Sequence, residues 1–388
     1  MNDTVRQFRD FFVSLRLTVV LLVLSLILVF AATLDQVNLG IWAVQEKYFQ
    51  SLFVLWRIGD IPVPVFPGGY LIGGFLLINL IAAHIYRFKL TWRKAGLFLT
   101  HLGLILLLLG ELFTGLWQED FQMRLVEGET KNYSESFRAN ELAIIETTDP
   151  QFDDVVVIPE SVLSRRNEIQ HPKLPFRVVT REYYPNAVLQ LHANAPAGTP
   201  PAATRGVGPK LVLSPVPLTY KQDERNAPGA ILELVGPDGS LGTFAVSTIL
   251  PVSQTIEYAG RTWRIGLRFE RNYKPFALTL EKVTHDVYVG TEIPKNFSSR
   301  VHITTPDGRE DREVLIYMNN PLRFGGLTFY QYQMDSARGM SVLQVVRNPS
   351  WLIPYIACTM MTVGLLAQFA LHLTAFFRRR RTAAAAAA

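Results

Sequence analysis

The side chains with the most chemistry for their surroundings are three histidines set inside apolar runs, His84, His101 and His372. An ionisable residue in such a run is costly and therefore rare, which makes each one a functional candidate. A neutral imidazole there can ligate a metal or haem iron, bond a neighbouring helix, or sit at a membrane interface. His101 stands apart because Gly96, Thr100 and Gly103 surround it with small residues, which admit a neighbouring helix or a flat cofactor. Pattern alone leaves both a ligand role and a helix-to-helix hydrogen bond open for it. His84 is the weaker alternative ligand, and His84 and His372 are most simply interfacial. Glu111, further along the run that holds His101, reads first as a hydrated interfacial carboxylate and second as a pocket residue.

The elements that carry these residues follow from hydropathy. A bilayer core about 30 Å thick needs roughly twenty apolar residues in a helix. Four segments qualify: 15–34, 69–86, 95–117 and 351–377. The first lacks a small-residue cleavage site, with only Thr33-Leu34-Asp35 after it, and reads as a retained helix rather than a signal peptide. Arg6, Arg9 and Arg16 precede the first span, Arg87, Lys89, Arg93 and Lys94 join the second to the third, and Arg378 to Arg381 follow the fourth. Excess positive charge marks cytoplasmic flanks, so both termini are expected in the cytoplasm. That orientation puts His84 and His101 roughly 3 and 10 Å inside the cytoplasmic boundary. The expected organisation is a membrane module over 1–117, with an aromatic outer loop at 35–68, and an extracytoplasmic domain over 118–350. The fourth helix at 351–377 and a basic cytoplasmic tail at 378–388 complete the chain. The aromatic loop reads either as an interfacial helix or as a short connector, with Pro62, Pro64 and Pro67 ending regular structure.

From Asp154 onward, short Val-, Ile-, Thr- and aromatic-rich runs alternate with turn residues, the pattern of an antiparallel sandwich or barrel. Candidate strands are 176–184, 230–235, 243–248, 262–269, 276–282, 300–305, 312–318 and 327–333. Pro237-Asp238-Gly239, Ala259-Gly260 and Pro306-Asp307-Gly308 predict three hairpins. Residues 194–208, rich in Pro, Ala and Gly, predict a flexible excursion or long surface loop. The fold class is therefore four transmembrane helices plus one large, mostly antiparallel β domain, sandwich or barrel-like.

Composition narrows the function. At 49% hydrophobic and 18% charged residues, the 388-residue chain is too apolar to be wholly water-soluble. Its densest basic cluster abuts an apolar helix, which argues for membrane flanking and against nucleic acid. Cys358 is the only cysteine, so the chain has no CxxC motif and no thiol chemistry of its own. No nucleophile elbow, P-loop, HExxH or dinucleotide fingerprint is present, and no catalytic residue is assigned. His171, His192, His285 and His302 share no ligand spacing and read as surface or sheet histidines. No repeated halves suggest a solute transporter.

Three N-terminal spans with RKAGLFLTHLGLILLLLG (93–110) in the third, a large β domain and a fourth span near the end resemble the ResB (CcsB) family of System II cytochrome c biogenesis. YVGTEIPKNFSSRVHI (288–303) and MNNPLRFGGLTFYQYQMD (318–335) are similar to the family's most recognisable stretches. Asn320, Pro321, Leu322, Gly326, Phe329, Tyr330 and Gln331 carry the second. The resemblance implies a subunit in the bacterial cytoplasmic (inner) membrane with its large domain periplasmic or extracellular. It implies a ResC/CcsA-type membrane partner bearing a tryptophan-rich haem-handling loop, which this chain lacks. The pair would carry haem b across the membrane and present it to CxxCH cysteines of apocytochrome c, with a thiol reductant protein as a further partner. The chain is then a component of a cytochrome c synthase (haem lyase) complex, not a catalyst alone, and His101 best matches the family's transmembrane haem-ligating histidine. A membrane-anchored assembly scaffold that binds no haem is the competing expectation.

Overall fold

The computed structural model describes residues 3–59, 61–87, 91–165, 168–219, 225–250, 253–290 and 294–387. They form two compact units, Met1–Glu119 with Asn348–Ala388, and Asp120–Thr219 with Asp223–Arg347. In chain order the helices are α1 (Asp3–Phe12), α2 (Leu15–Val44), α3 (Gly69–Tyr86), α4 (Ala95–Trp117), the single turn α5 (Glu160–Leu163) and α6 (Ile353–Ala387). Among the described residues, four stretches, Leu15–Phe49, Gly69–Tyr86, Trp92–Trp117 and Ile353–Arg380, are long and apolar enough to cross a membrane. Lys89, one of the basic residues expected between the second and third spans, lies outside the described residues.

The first unit departs from expectation at both ends of its first span. An additional helix, α1, precedes it, and Ser14 caps α2 by accepting from the Arg16 N–H. The helix expected to stop at Leu34 continues to Val44, broken at Gly40 (φ 73°), and passes into a wider turn over Gln45–Phe49. Asp35 holds that extension, accepting from Lys47 Nζ at 2.6 Å and Tyr48 Oη at 3.0 Å. The aromatic segment is therefore helix as far as Phe49, then strand β1 (Phe53–Ile58) paired with β2 (Ile61–Pro67). Pro62 and Pro64 do not end regular structure but lie opposite Arg57 and Leu55 in this ribbon. A two-stranded ribbon leaves each strand an open edge, where a residue without an N–H is tolerated.

Buried Asn79 of α3 joins three segments. It accepts from Thr18 Oγ1 at 2.6 Å and donates to the carbonyls of Phe12 and Ser14 at 2.6 and 3.2 Å. These carbonyls end α1 and open α2, so one amide fixes the angle between them. Asn79→Leu takes this donor from the Phe12 carbonyl in apolar surroundings, leaving Ser14 O only its longer bonds from Thr18, and is expected to cost about 2 kcal/mol. A lowered melting temperature of the detergent-purified protein checks this.

Helices α4 and α6 pack through a seam of small residues. Gly96, Gly103 and Gly110, seven apart, face α6; a Cβ on Gly96 would lie 2.4 Å from Gly364 O, and one on Gly103 2.9 Å from Ala357 O. Backbones approach this closely only where side chains are missing. α6 starts at Ile353 rather than Trp351 and runs on through the basic residues expected to form a tail.

The second unit contains β3 (Glu119–Val126), β4 (Thr130–Glu146), β5 (Asp154–Pro159), β6 (Glu168–Ile169), β7 (Arg177–Tyr184), β8 (Ala187–Leu191), β9 (Leu211–Pro215), β10 (Gly229–Gly236) and β11 (Gly239–Ser247). It continues with β12 (Gln254–Tyr258), β13 (Arg261–Val287), β14 (Pro294–Thr304), β15 (Asp311–Tyr317), β16 (Leu322–Phe324), β17 (Leu327–Asp335) and β18 (Met340–Arg347). The main sheet runs β15-β14-β13-β4-β3-β18-β17-β16, with β5 and β12 paired to β4 and β13. Its ends meet at a Tyr317–Asn320 bridge, so the sheet is nearly closed. A smaller sheet, β11-β10-β7-β6, packs on the other end of the long strands. The three expected hairpins form, as β10–β11, β12–β13 and β14–β15.

The candidate strands 262–269 and 276–282 are one strand, β13, interrupted in register after Phe269 and after Tyr273. Each half serves a different core. Trp263, Ile265 and Leu267 pack with Val178, Leu232 and Phe244 in a sandwich core, whereas Phe276, Leu278 and Leu280 pack with Val301, Phe329 and Val345 inside the curled sheet. The Pro/Ala/Gly segment 194–208 links β8 to β9, and it is tied down: Thr204 N–H donates to Thr243 Oγ1 and Val207 N–H to Gln254 Oε1.

Lys274 sits at the junction of the cores, 7% exposed, donating to Ser134 Oγ at 2.7 Å and Asn272 O at 3.1 Å. Burial among neutral acceptors pushes its pKa down to about 8. Below that pH the ammonium is charged in folded and unfolded chains alike and its desolvation cost is fully present. Between about 8 and the ordinary lysine value the unfolded chain binds more protons, so stability rises with pH. Lys274→Met should raise stability at pH 7 by about 2 kcal/mol and flatten that alkaline rise in a pH series of melting curves.

Candidate functional site

Two of the three apolar-run histidines come together. His84 closes α3, His101 lies two turns into α4, and the two imidazoles are within electrostatic range of each other. Between them, the His84 ring rests on Phe98 at a centroid distance of 4.1 Å. Phe98 and His101 are three residues apart and share a helix face.

The glycine seam fixes which way that face points. At about 100° per residue, His101 lies roughly 140–160° around α4 from Gly96 and Gly103, away from α6. The small residues noted around His101 in the sequence therefore admit a helix, α6, and the histidine occupies the other side. Thr100 belongs to the seam; its hydroxyl donates to Gly96 O at 2.9 Å.

His101 Nδ1 lies 2.8 Å from the Leu97 carbonyl oxygen. That oxygen can only accept, so Nδ1 carries the proton and Nε2 carries the lone pair in the neutral ring. A second hydrogen bond to a backbone carbonyl is the usual device that selects the tautomer and orients a metal-ligating imidazole.

His372 has a different environment. Its Nε2 is 3.0 Å from Gln368 Nε2, and Gln368 Oε1 accepts from the Leu97 N–H at 3.2 Å. This glutamine of α6 satisfies a first-turn N–H of α4, whose preceding Lys94 supplies no side-chain cap. Glu111 lines a cavity of about 690 Å³ between α2, α3 and α4, with Gln36, Gln45, Tyr70 and Gly115. The sequence pointed to the carboxylate but not to this cavity, because its walls come from three separate helices.

The family-motif residues close the β unit. Asn320 bridges to Tyr317, Leu322 and Phe329 are buried in the curled-sheet core, and Gly326 turns β16 into β17 at φ 75°. Pro321 joins the bridge to β16, and Tyr330 points outward at 39% exposure. Gln331 crosses the seam: its Oε1 lies 2.6 Å from Ser299 Oγ on β14, and its Nε2 donates to Ser341 Oγ on β18 at 3.0 Å.

Of the remaining histidines, His192 bonds Thr199 O, His171 accepts from the Lys173 N–H, and His285 stacks on Phe297. His302 differs. Its Nδ1 is 3.3 Å from Glu281 and its Nε2 is hydrogen-bonded to Asp311, and these two carboxylates, Asp311 first, hold it above the ordinary imidazole range. The sequence reading assigned it no partners because the acids lie on two neighbouring strands.

Comparison with known proteins gives one relative and one family model. Protein NrfI of Wolinella succinogenes is 29% identical over 92 residues, which is 24% of this chain and 10% of that protein. The chain thus matches about a tenth of that relative's length. The ResB-like family model matches residues 238–339, from the β10–β11 turn through β17 to Gly339, a stretch that contains all seven motif residues. The family that the sequence resembles is thus the family whose model this part of the β unit matches.

Proposed function

We propose that this chain is a subunit of a cytochrome c biogenesis complex that, with a ResC/CcsA-type membrane partner, carries haem across the membrane for attachment to CxxCH apocytochrome c. Haem is cargo, and the chain's share of the work is to bind and orient it. The observation that supports the reading is the His101 Nδ1–Leu97 O hydrogen bond, which puts the lone pair of the neutral ring on Nε2, on a helix face turned away from the seam with α6. Lys and Arg around the α2 start, before α4 and in the last turns of α6 support cytoplasmic termini and an extracytoplasmic β unit. His101 then meets haem in the inner half of the bilayer, and the partner supplies the second axial ligand. His84, packed beside it through Phe98, is the alternative ligand.

The β unit holds the partner and the apocytochrome. Thioether formation uses the client's thiols, kept reduced by a thiol reductant protein, because Cys358 is the chain's only cysteine. A scaffold that binds no haem is the second reading, supported by the motif residues, which build the β unit rather than line a site.

The two readings separate on absorption spectra of the complex co-purified with its partner from haem-replete cells. The haem reading expects a low-spin spectrum that His101→Ala abolishes or converts to high spin while His84→Ala preserves it. Haem-free wild-type complex would leave the scaffold, and loss in His84→Ala alone would move the ligand to α3.

A further inference from the structure

Strands β13, β14 and β15 bring a donor set to one face of the second unit. Val301 and Ile303 point into the core, so His302 between them points out, and in register it stands opposite Glu313 of β15. On the other side β13 carries one residue more than its partner: Leu280 pairs with Val301 and Lys282 with Arg300, leaving Glu281 in the bulge. A bulge re-aims a side chain, and Glu281 is turned to within 3.3 Å of His302 Nδ1. One nitrogen of His302 and one oxygen each of Glu281 and Glu313 lie within 4.8 Å of one another.

We propose that Glu281, His302 and Glu313 form a site for one divalent transition-metal cation of the zinc class on the outward face of β13–β14–β15. The donor chemistry fits. Imidazole with carboxylates suits a borderline cation such as Zn²⁺, and three protein donors leave a coordination position for water. The outer shell fits as well. Asp311 accepts from the imidazole nitrogen that faces away from Glu281, the carboxylate–histidine–metal arrangement that sets tautomer and orientation. Two glutamates converge on one imidazole with Arg300 3.8 Å from Glu313, and a bound cation between the carboxylates removes their mutual repulsion. The alternative is a protonated His302 that, together with Arg300, serves as the counter-charge.

The test uses the untagged full chain in detergent, titrated with Zn²⁺ against a chromophoric chelator and with Co²⁺ by visible absorption. Wild type should bind a Zn²⁺ whose affinity falls at least tenfold in His302→Ala and in Glu281→Gln. Asp311→Asn, which leaves all three ligands in place, should lose about tenfold. Glu313→Gln serves as a further ligand variant should His302→Ala fail to fold, with melting temperature in metal-free buffer as the fold check. No Zn²⁺ binding by wild type, or equal affinity in wild type and the ligand variants, overturns the site.

Discussion

Gly96→Leu is expected to lower stability by about 3 kcal/mol and to reduce the folded protein recovered from membranes. The new Cβ would sit 2.4 Å from Gly364 O and 2.7 Å from Gln368 N, and both are backbone atoms of α6 that cannot rotate away. Relief requires moving one helix from the other, which gives up the close approach at Gly103 and loosens the Gln368 cap on the first turn of α4. The same displacement disturbs the helix that carries His101. Gly110→Ala should be much milder, because the atom it meets first is a side-chain methyl of Ile353. Gly73→Ala, with nothing within 4 Å, is the control and should be neutral or gain up to about 1 kcal/mol of helix propensity. Thermal melting of the three variants in one detergent gives the order.

The second large effect separates fold from function in the family motif. Phe329 is fully buried against Phe276 and Leu322, so Phe329→Ala should cost about 4 kcal/mol through the cavity it leaves. Tyr330, its neighbour, faces outward, and Tyr330→Ala should leave the melting temperature nearly unchanged. If Tyr330→Ala nevertheless lowers cytochrome c yield in cells, that residue belongs to a contact surface. A yield lost only with Phe329→Ala places the motif's importance in folding. Unfolding by denaturant together with cytochrome c yield reads both quantities for each variant.

The sequence was legible where a local pattern decides the structure. Helices α3 and α4 have the bounds read from their apolar runs, since nothing but a continuous helix satisfies their backbone. Hairpins with Pro-Asp-Gly and Ala-Gly turns were likewise readable, and Ala259 and Gly260 take the positive φ of 55° and 71° that such a two-residue turn requires. What escaped depends on residues far apart. The continuation of α2 past Leu34 rests on Asp35 meeting Lys47 and Tyr48. Strand β4, with the polar run Lys131 to Arg138, hides its alternation because its two ends face different cores and its register with β13 shifts between them. β3, β5, β6, β8, β9, β12, β16 and β18 also lie outside the candidate strands, and β18 closes the curled sheet through Leu343 and Val345. At the candidate site, His101 was visible as a polar residue among small ones. The partner of those small residues, Gly364 on α6, is 268 positions from Gly96 in the chain and could not be read from the local pattern.

The most direct measurement on the central claim is chemical rescue. The complex carrying His101→Gly is prepared with its partner and haem, and the absorption spectrum is recorded before and after adding imidazole. If His101 Nε2 ligates the iron, the glycine variant loses the low-spin spectrum and imidazole restores it, while wild type does not respond. An unaltered low-spin spectrum in His101→Gly before any imidazole is added would contradict the account.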